Sequence, residues 1–148
     1  MMVLMMYCRK GHTKIAAALI DARAQCDLQD NCGYNALIVT ALKGESDIAT
    51  SLLALSSAEM VNAKDKNGYT ALIAASLHGH IKIVQALLEA TCEIDVQDNC
   101  GYTALIAAAS NDNASVVCKL LDAQACINLQ VIRVRYRRQM TMMYCVLG

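Results

Sequence analysis

Three groups of residues in this chain have chemistry beyond packing. His78 and His80 flank a glycine and could share a metal ion, and eight cysteines offer thiol or zinc chemistry. Asp30, Asp65 and Asp98 recur as acids that could serve proton transfer. Spacing argues against each use. A closed zinc site needs four ligands, and no carboxylate or cysteine stands at ligand spacing from His78-Gly79-His80. Cys8, Cys26, Cys32, Cys92, Cys100, Cys118, Cys126 and Cys145 lie far apart with no C-x-x-C pair, which reads as reduced thiols rather than a disulfide framework. Each Asp is followed three residues later by Gly, the signature of a turn rather than of paired acid–base catalysis. G-x-S-x-G, H-E-x-x-H and P-loop patterns are absent from the sequence. The expectation is a non-enzymatic chain without catalytic, cofactor-binding or metal-binding residues.

The elements that carry these residues follow from composition. At 148 residues the chain is one domain's worth, and 56% hydrophobic content excludes a disordered polymer. There is no Phe, Trp or Pro, so a β-sandwich, which leans on aromatic strands and Gly/Pro turns, is disfavoured. Ala, Leu, Ile and Met supply the apolar fraction, and all but Ile are strong helix formers. An all-α protein is expected.

Laid against itself, the sequence repeats. Asp30-Asn31-Cys32-Gly33-Tyr34-Asn35-Ala36-Leu37-Ile38 returns from Asp65 as D-K-N-G-Y-T-A-L-I and from Asp98 as D-N-C-G-Y-T-A-L-I. The spacings are 35 and 33 residues. Gly44, Gly79 and Asp112 keep the register, as do the apolar sets Ile48/Leu52/Leu53, Ile83/Leu87/Leu88 and Val116/Leu120/Leu121. Each unit reads as a tight Asp-x-x-Gly turn and a short helix opened by Asn35, Thr70 or Thr103 as N-cap. A second turn and a second helix with one apolar face follow. In the middle unit the helices are expected at Ala71–Leu77 and about Ile81–Ala90. Pairs this small cannot bury their own faces, so they must stack.

The pattern D-x-x-G-x-T-x-L-x-x-A-x-x-x-G-H-x-x-I-V, at a 33-residue period, resembles the ankyrin repeat. The resemblance implies an ankyrin-type α-solenoid of stacked helix-turn-helix repeats joined by β-hairpin-like turns. Its expected organisation is a partial repeat over 1–29, full repeats over 30–64, 65–97 and 98–130, and a basic degenerate tail or repeat remnant over 131–148. Val3 to Cys8 aligns with Ala36 to Ala41, so the apolar N-terminal run reads as a first helix rather than a signal peptide.

Some positions depart from the family. T-P-L-H becomes T-A-L-I or N-A-L-I, removing a preorganised proline and a polar partner for the Thr hydroxyl. Thr91 and Gln124 stand where Gly ends the second helix, and two extra residues fall within 56–61, expected as a longer loop.

The resemblance also implies the role of a protein-interaction scaffold. Family partners lie along the hairpin tips and the exposed side of the first helices. On this sequence those positions are Asn31, Cys32 and Tyr34; Lys66, Asn67 and Tyr69; Asn99, Cys100 and Tyr102. Lys43, His78 and Asn111 follow at the helix ends. The tyrosines form a row at roughly 10 Å steps, either anchoring a partner or covering the neighbouring hairpin. Residues 131–148 carry four Arg and no acid, against a net −4 over 1–130. That tail is an alternative anionic-ligand segment, though nucleic acid is disfavoured without a basic stripe on the repeats. A larger parent enzyme or signalling protein is the other alternative. No stretch is long and charge-free enough to span a bilayer, and a cytoplasmic or nuclear setting is expected. The apolar beginning and end lack a polar capping repeat, which suggests a piece of a longer or degenerate array and raises end-to-end self-association.

Overall fold

Local chemistry at the aspartates sets the hairpins. Asp30 Oδ1 accepts from the Cys32 and Tyr34 amides at 2.8 and 2.9 Å. Asp65 does the same for Asn67 and Tyr69, and Asp98 for Cys100 and Tyr102, all at 2.8 Å. Sequence reasoning expects the bond two residues on; the second, four residues on, closes the turn. Gly33, Gly68 and Gly101 take φ of 83–84°, which a side chain would strain. The next hairpin also approaches closely: a Cβ on Gly33 would lie 2.8 Å from Asp65 Cα.

The computed structural model describes residues 3–22 and 26–128, and among these there are nine helices and no strand. They are α1 (Val3–Arg9), α2 (Thr13–Asp21), α3 (Ala36–Lys43), α4 (Ser46–Leu53), α5 (Ala58–Val61), α6 (Ala71–Leu77), α7 (Ile81–Glu89), α8 (Ala104–Ser110) and α9 (Ala114–Asp122). Helix α1 forms where the N-terminal apolar run aligned, with Leu4, Met5 and Cys8 buried. The tail reading of 131–148 lies outside the described residues.

Short first helices form because their caps are satisfied. Asn35 Oδ1 accepts from Ile38 N at 2.8 Å, and the Thr70 and Thr103 hydroxyls accept from Ile73 N and Ile106 N at 3.3 Å. The Thr cap therefore survives replacement of the family's His by Ile. First helices α1, α3, α6 and α8 pack in one layer, and α2, α4, α7 and α9 in a second. Their facing sides make one core. Alanines 36, 41, 71, 74, 75, 104, 107 and 108 are buried in the first-helix layer, where small side chains let backbones approach. Leu52, Ile83, Leu87 and Leu120 fill the space between layers.

One expectation is corrected. The two extra residues do not lengthen a loop but form α5, capped by the Ser57 hydroxyl, which accepts from Met60 N at 3.3 Å. Met60 and Val61 are buried, so apolar burial offsets the entropy of ordering the insertion. Asn35 Nδ2 donates to Met60 O at 2.9 Å. The insertion thus explains why this unit has Asn where the others have Thr. Only a side chain with both an acceptor and a reaching donor caps α3 and ties down α5 together.

Candidate interaction surface

The hairpins are joined tip to tip. Lys66 N donates to Cys32 O at 3.0 Å, and Asn99 N donates to Asn67 O at 2.9 Å. Asn99 Nδ2 adds a bond to Lys66 O at 2.9 Å. These bonds leave the side chains of Asn31, Cys32, Lys66 and Asn67 exposed, and hold the middle hairpin, with Lys66 and Asn67, from both sides. Asn99 is exposed too, while Cys100 is half-buried. Lys43 ends α3, and His78 and Asn111 follow α6 and α8; all three are exposed. Asn111 Nδ2 turns back to Ala107 O at 3.0 Å. Every sequence-expected position therefore falls on the hairpin row or at the ends of the first helices.

The tyrosines are not free anchors. Tyr34, Tyr69 and Tyr102 are half-buried, and the first two pack against the core. Burial pushes the Tyr69 hydroxyl up to about 12, with Asp98 of the next hairpin adding to the rise. Tyr34 is raised for the same reason, with Asp65 as the next contributor. The aspartate of the following hairpin thus acts on both Tyr34 and Tyr69, and their burial fits rings that cover the neighbouring hairpin. Arg9 Nη2 pairs with Asp30 Oδ2 at 2.6 Å, and its guanidinium stands 5.7 Å from the Tyr34 ring centre, a cation–π distance. It staples α1 to the first hairpin.

Sequence reasoning missed a second ladder one residue before each aspartate. Gln29 Nε2 donates to Gly33 O at 2.6 Å and Lys64 O at 3.0 Å, Lys64 Nζ to Gln97 O at 3.2 Å, and Gln97 Nε2 to Gly101 O at 3.0 Å. The recurrence of Gln-Asp at 29–30 and 97–98 was the available signal.

The histidines have structural neighbours. The His78 and His80 rings stack with centres 5.9 Å apart, and burial, then His80, lowers the His78 pKa below its usual 6.5. His80 lies under Gly44, where a Cβ would come within 2.6 Å of the ring. Among the described residues, no group of three or more His, Cys, Asp or Glu is gathered to hold a metal. Burial raises the Cys8 and Cys92 thiols to about 11, so both are protonated near neutrality.

A family model for ankyrin repeats (3 copies) matches residues 4–98 and 60–131, nearly the whole described chain. The chain belongs to the ankyrin-repeat family. Ankyrin repeats are generally protein–protein interaction modules and are typically non-catalytic. The stapled hairpins and two-layered helix stack of this ankyrin protein suit that general role, because exposed turn residues are free to vary while the stack holds them rigid. No curated protein matches the chain. Among the described residues, no helix is long and apolar enough to cross a membrane.

Proposed function

We propose that this ankyrin protein is a non-catalytic scaffold whose hairpin tips and first-helix ends receive a protein partner. Its repeats span 30–64, 65–97 and 98–130 after a partial repeat at 1–29. The observation that carries the reading is the hydrogen-bonded hairpin row. Backbone bonds from Lys66 N to Cys32 O and from Asn99 N to Asn67 O hold exposed polar side chains in one register. A preordered surface loses little entropy when it binds, which favours affinity from few contacts. The partner-binding set is Asn31, Cys32, Lys43, Lys66, Asn67, His78, Asn99, Cys100, Tyr102 and Asn111. Widely spaced thiols support a reducing setting, cytoplasm or nucleus.

Affinity capture from the source cell tests this. The full chain is compared with a variant carrying Asn67→Ala, Asn99→Ala and Tyr102→Ala. A partner bound by the parent and lost by the variant, at equal circular dichroism, is the expected result. A partner retained by the variant overturns the assigned surface.

Self-association through the ends is a second reading. Ile15 of α2 is 44% exposed, whereas its counterparts Ile48, Ile83 and Val116 are at 2% or less. Leu121 and Ile127, in the last described repeat, are 42% and 75% exposed. Sedimentation velocity over a concentration series is expected to show reversible association, weakened by Ile127→Ser. A monomer at every concentration removes this reading.

A further inference from the structure

The two helix layers differ in charge. The first helices α1, α3, α6 and α8 contain no Asp or Glu, while Arg9 and Lys43 lie in them and Lys10 follows α1. The hairpin acids are consumed internally: Asp65 and Asp98 are buried in their turns, and Asp30 is paired with Arg9. The middle hairpin exposes Lys66 at its tip and Lys64 one residue before its turn. The exposed acids Asp27, Glu93 and Asp95 lie in the segments leading into the outer two hairpins. The second layer is close to balance, with Asp21, Asp47, Glu89 and Asp122 exposed alongside Lys14, Lys82 and Lys119. Glu45 follows Lys43 by two residues, but its carboxylate is tucked under Gly11, 3.4 Å from where a Cβ would sit.

Two lysines are in register. Lys10 and Lys43 hold the same place in successive repeats, one residue before Gly11 and Gly44, and His78 takes that place before Gly79. A cation at a helix C-terminus is favoured by the helix dipole, which explains Lys10 and Lys43 locally. The dipole does not explain Lys66 on the middle hairpin. Adjacent first helices pack about 8–10 Å apart, and an extended chain rises about 3.3 Å per residue. Carboxylates three residues apart on an extended segment therefore match the Lys10–Lys43 step.

We propose that the hairpin and first-helix face binds an acidic, extended protein segment with carboxylates at every third residue, laid across the first three repeats. This rests on the scaffold reading above and adds the chemistry of its partner.

The test uses fluorescence anisotropy on the full chain, with Arg133, Arg135, Arg137 and Arg138 changed to Gln so that residues 131–148 do not take the probe. The probe is a labelled Gly/Ser peptide with Glu at every third position. Comparison probes are the same composition with Glu contiguous, the Lys-for-Glu peptide, and oligo(dT). The expected result is binding of the spaced Glu peptide above all others, weakening as salt rises. Lys10→Glu with Lys43→Glu should reduce its affinity about tenfold, from two lost exposed pairs plus repulsion. Lys14→Glu with Lys82→Glu makes the same net charge change on the second layer and should leave binding unchanged. Equal loss in both double variants, tighter binding of oligo(dT), no preference for the spaced peptide, or no binding of it overturns the proposal. Lys10→Gln with Lys43→Gln repeats the test should charge reversal disturb folding. A native partner that survives charge reversal at Lys10 and Lys43, yet is lost on changing Asn67, Asn99 and Tyr102, overturns the acidic preference and leaves the scaffold standing.

Discussion

Asn35 shows how one side chain can answer two demands. It is fully buried, accepts from Ile38 N and donates to Met60 O. Asn35→Thr keeps the cap and loses the donor, with an expected cost of about 1 kcal/mol; Asn35→Ala loses both, at about 2–3 kcal/mol. Urea unfolding of the two variants checks the order. Glu45 is the opposite case. The corresponding Asn113 donates to Ser76 O and Leu77 O at 2.9 and 3.0 Å, whereas Glu45 presents a carboxylate whose Oε2 is buried without a partner. Burial raises its pKa above the ordinary 4.5, only partly offset by Lys43. A raised carboxyl pKa means the folded state holds the proton more tightly than the unfolded chain. Its contribution therefore favours folding below the ordinary value and is lost as pH rises through the raised one. Glu45→Gln removes that titration and supplies a donor. Its melting temperature is expected to exceed the parent's by a margin that widens as pH rises from about 4 to 7. A margin independent of pH would contradict the assignment.

At the scale of the helix pair, the weak points are the ends of the second helices. Thr91 and Gln124 adopt φ of 54° and 64°, a left-handed conformation that favours glycine. The strain is of order 1–2 kcal/mol, partly offset because glycine loosens the unfolded chain by about 0.4–1 kcal/mol. Thr91→Gly and Gln124→Gly should each stabilise by about 0.5–1 kcal/mol, read as an upward shift in thermal midpoint. The sequence marks these two positions as lacking glycine, and the dihedrals show that the turn keeps its shape without it. The insertion was the harder element to read. Ser56 to Val61 has a serine cap signal, but four residues are too short for helical periodicity to register.

Across the described repeats, the two ends of the stack are unlike. Within the stack, the residue opening each second helix sits under the glycine of the preceding repeat. A Cβ on Gly44 would meet the His80 ring at 2.6 Å, and one on Gly79 would meet Asn113 at the same distance. The last described repeat has Asp112 in that place, at φ 57°. Its side chain occupies the space a further stacked unit would need. Asp112→Gly is expected to raise stability by about 0.5–1 kcal/mol through relief of strain. It should also strengthen end-to-end association, seen as a larger sedimentation coefficient at equal concentration. A stabilised variant with unchanged sedimentation would show that this position does not limit stacking.

The sequence alone determined the repeat register, the bounds of α6, the aspartate turns and the family, because those depend on contacts between residues a few positions apart. It also placed every expected surface residue on the hairpin row or the first-helix ends. Only the tertiary structure showed that Tyr34 and Tyr69 are half-buried against the core, because that burial depends on how the repeats stack. It likewise joined Asn35 to Met60 and Gln29 to Lys64. Those relations arise when repeats are stacked, and a linear pattern does not record which side chain of one unit meets which carbonyl of the next.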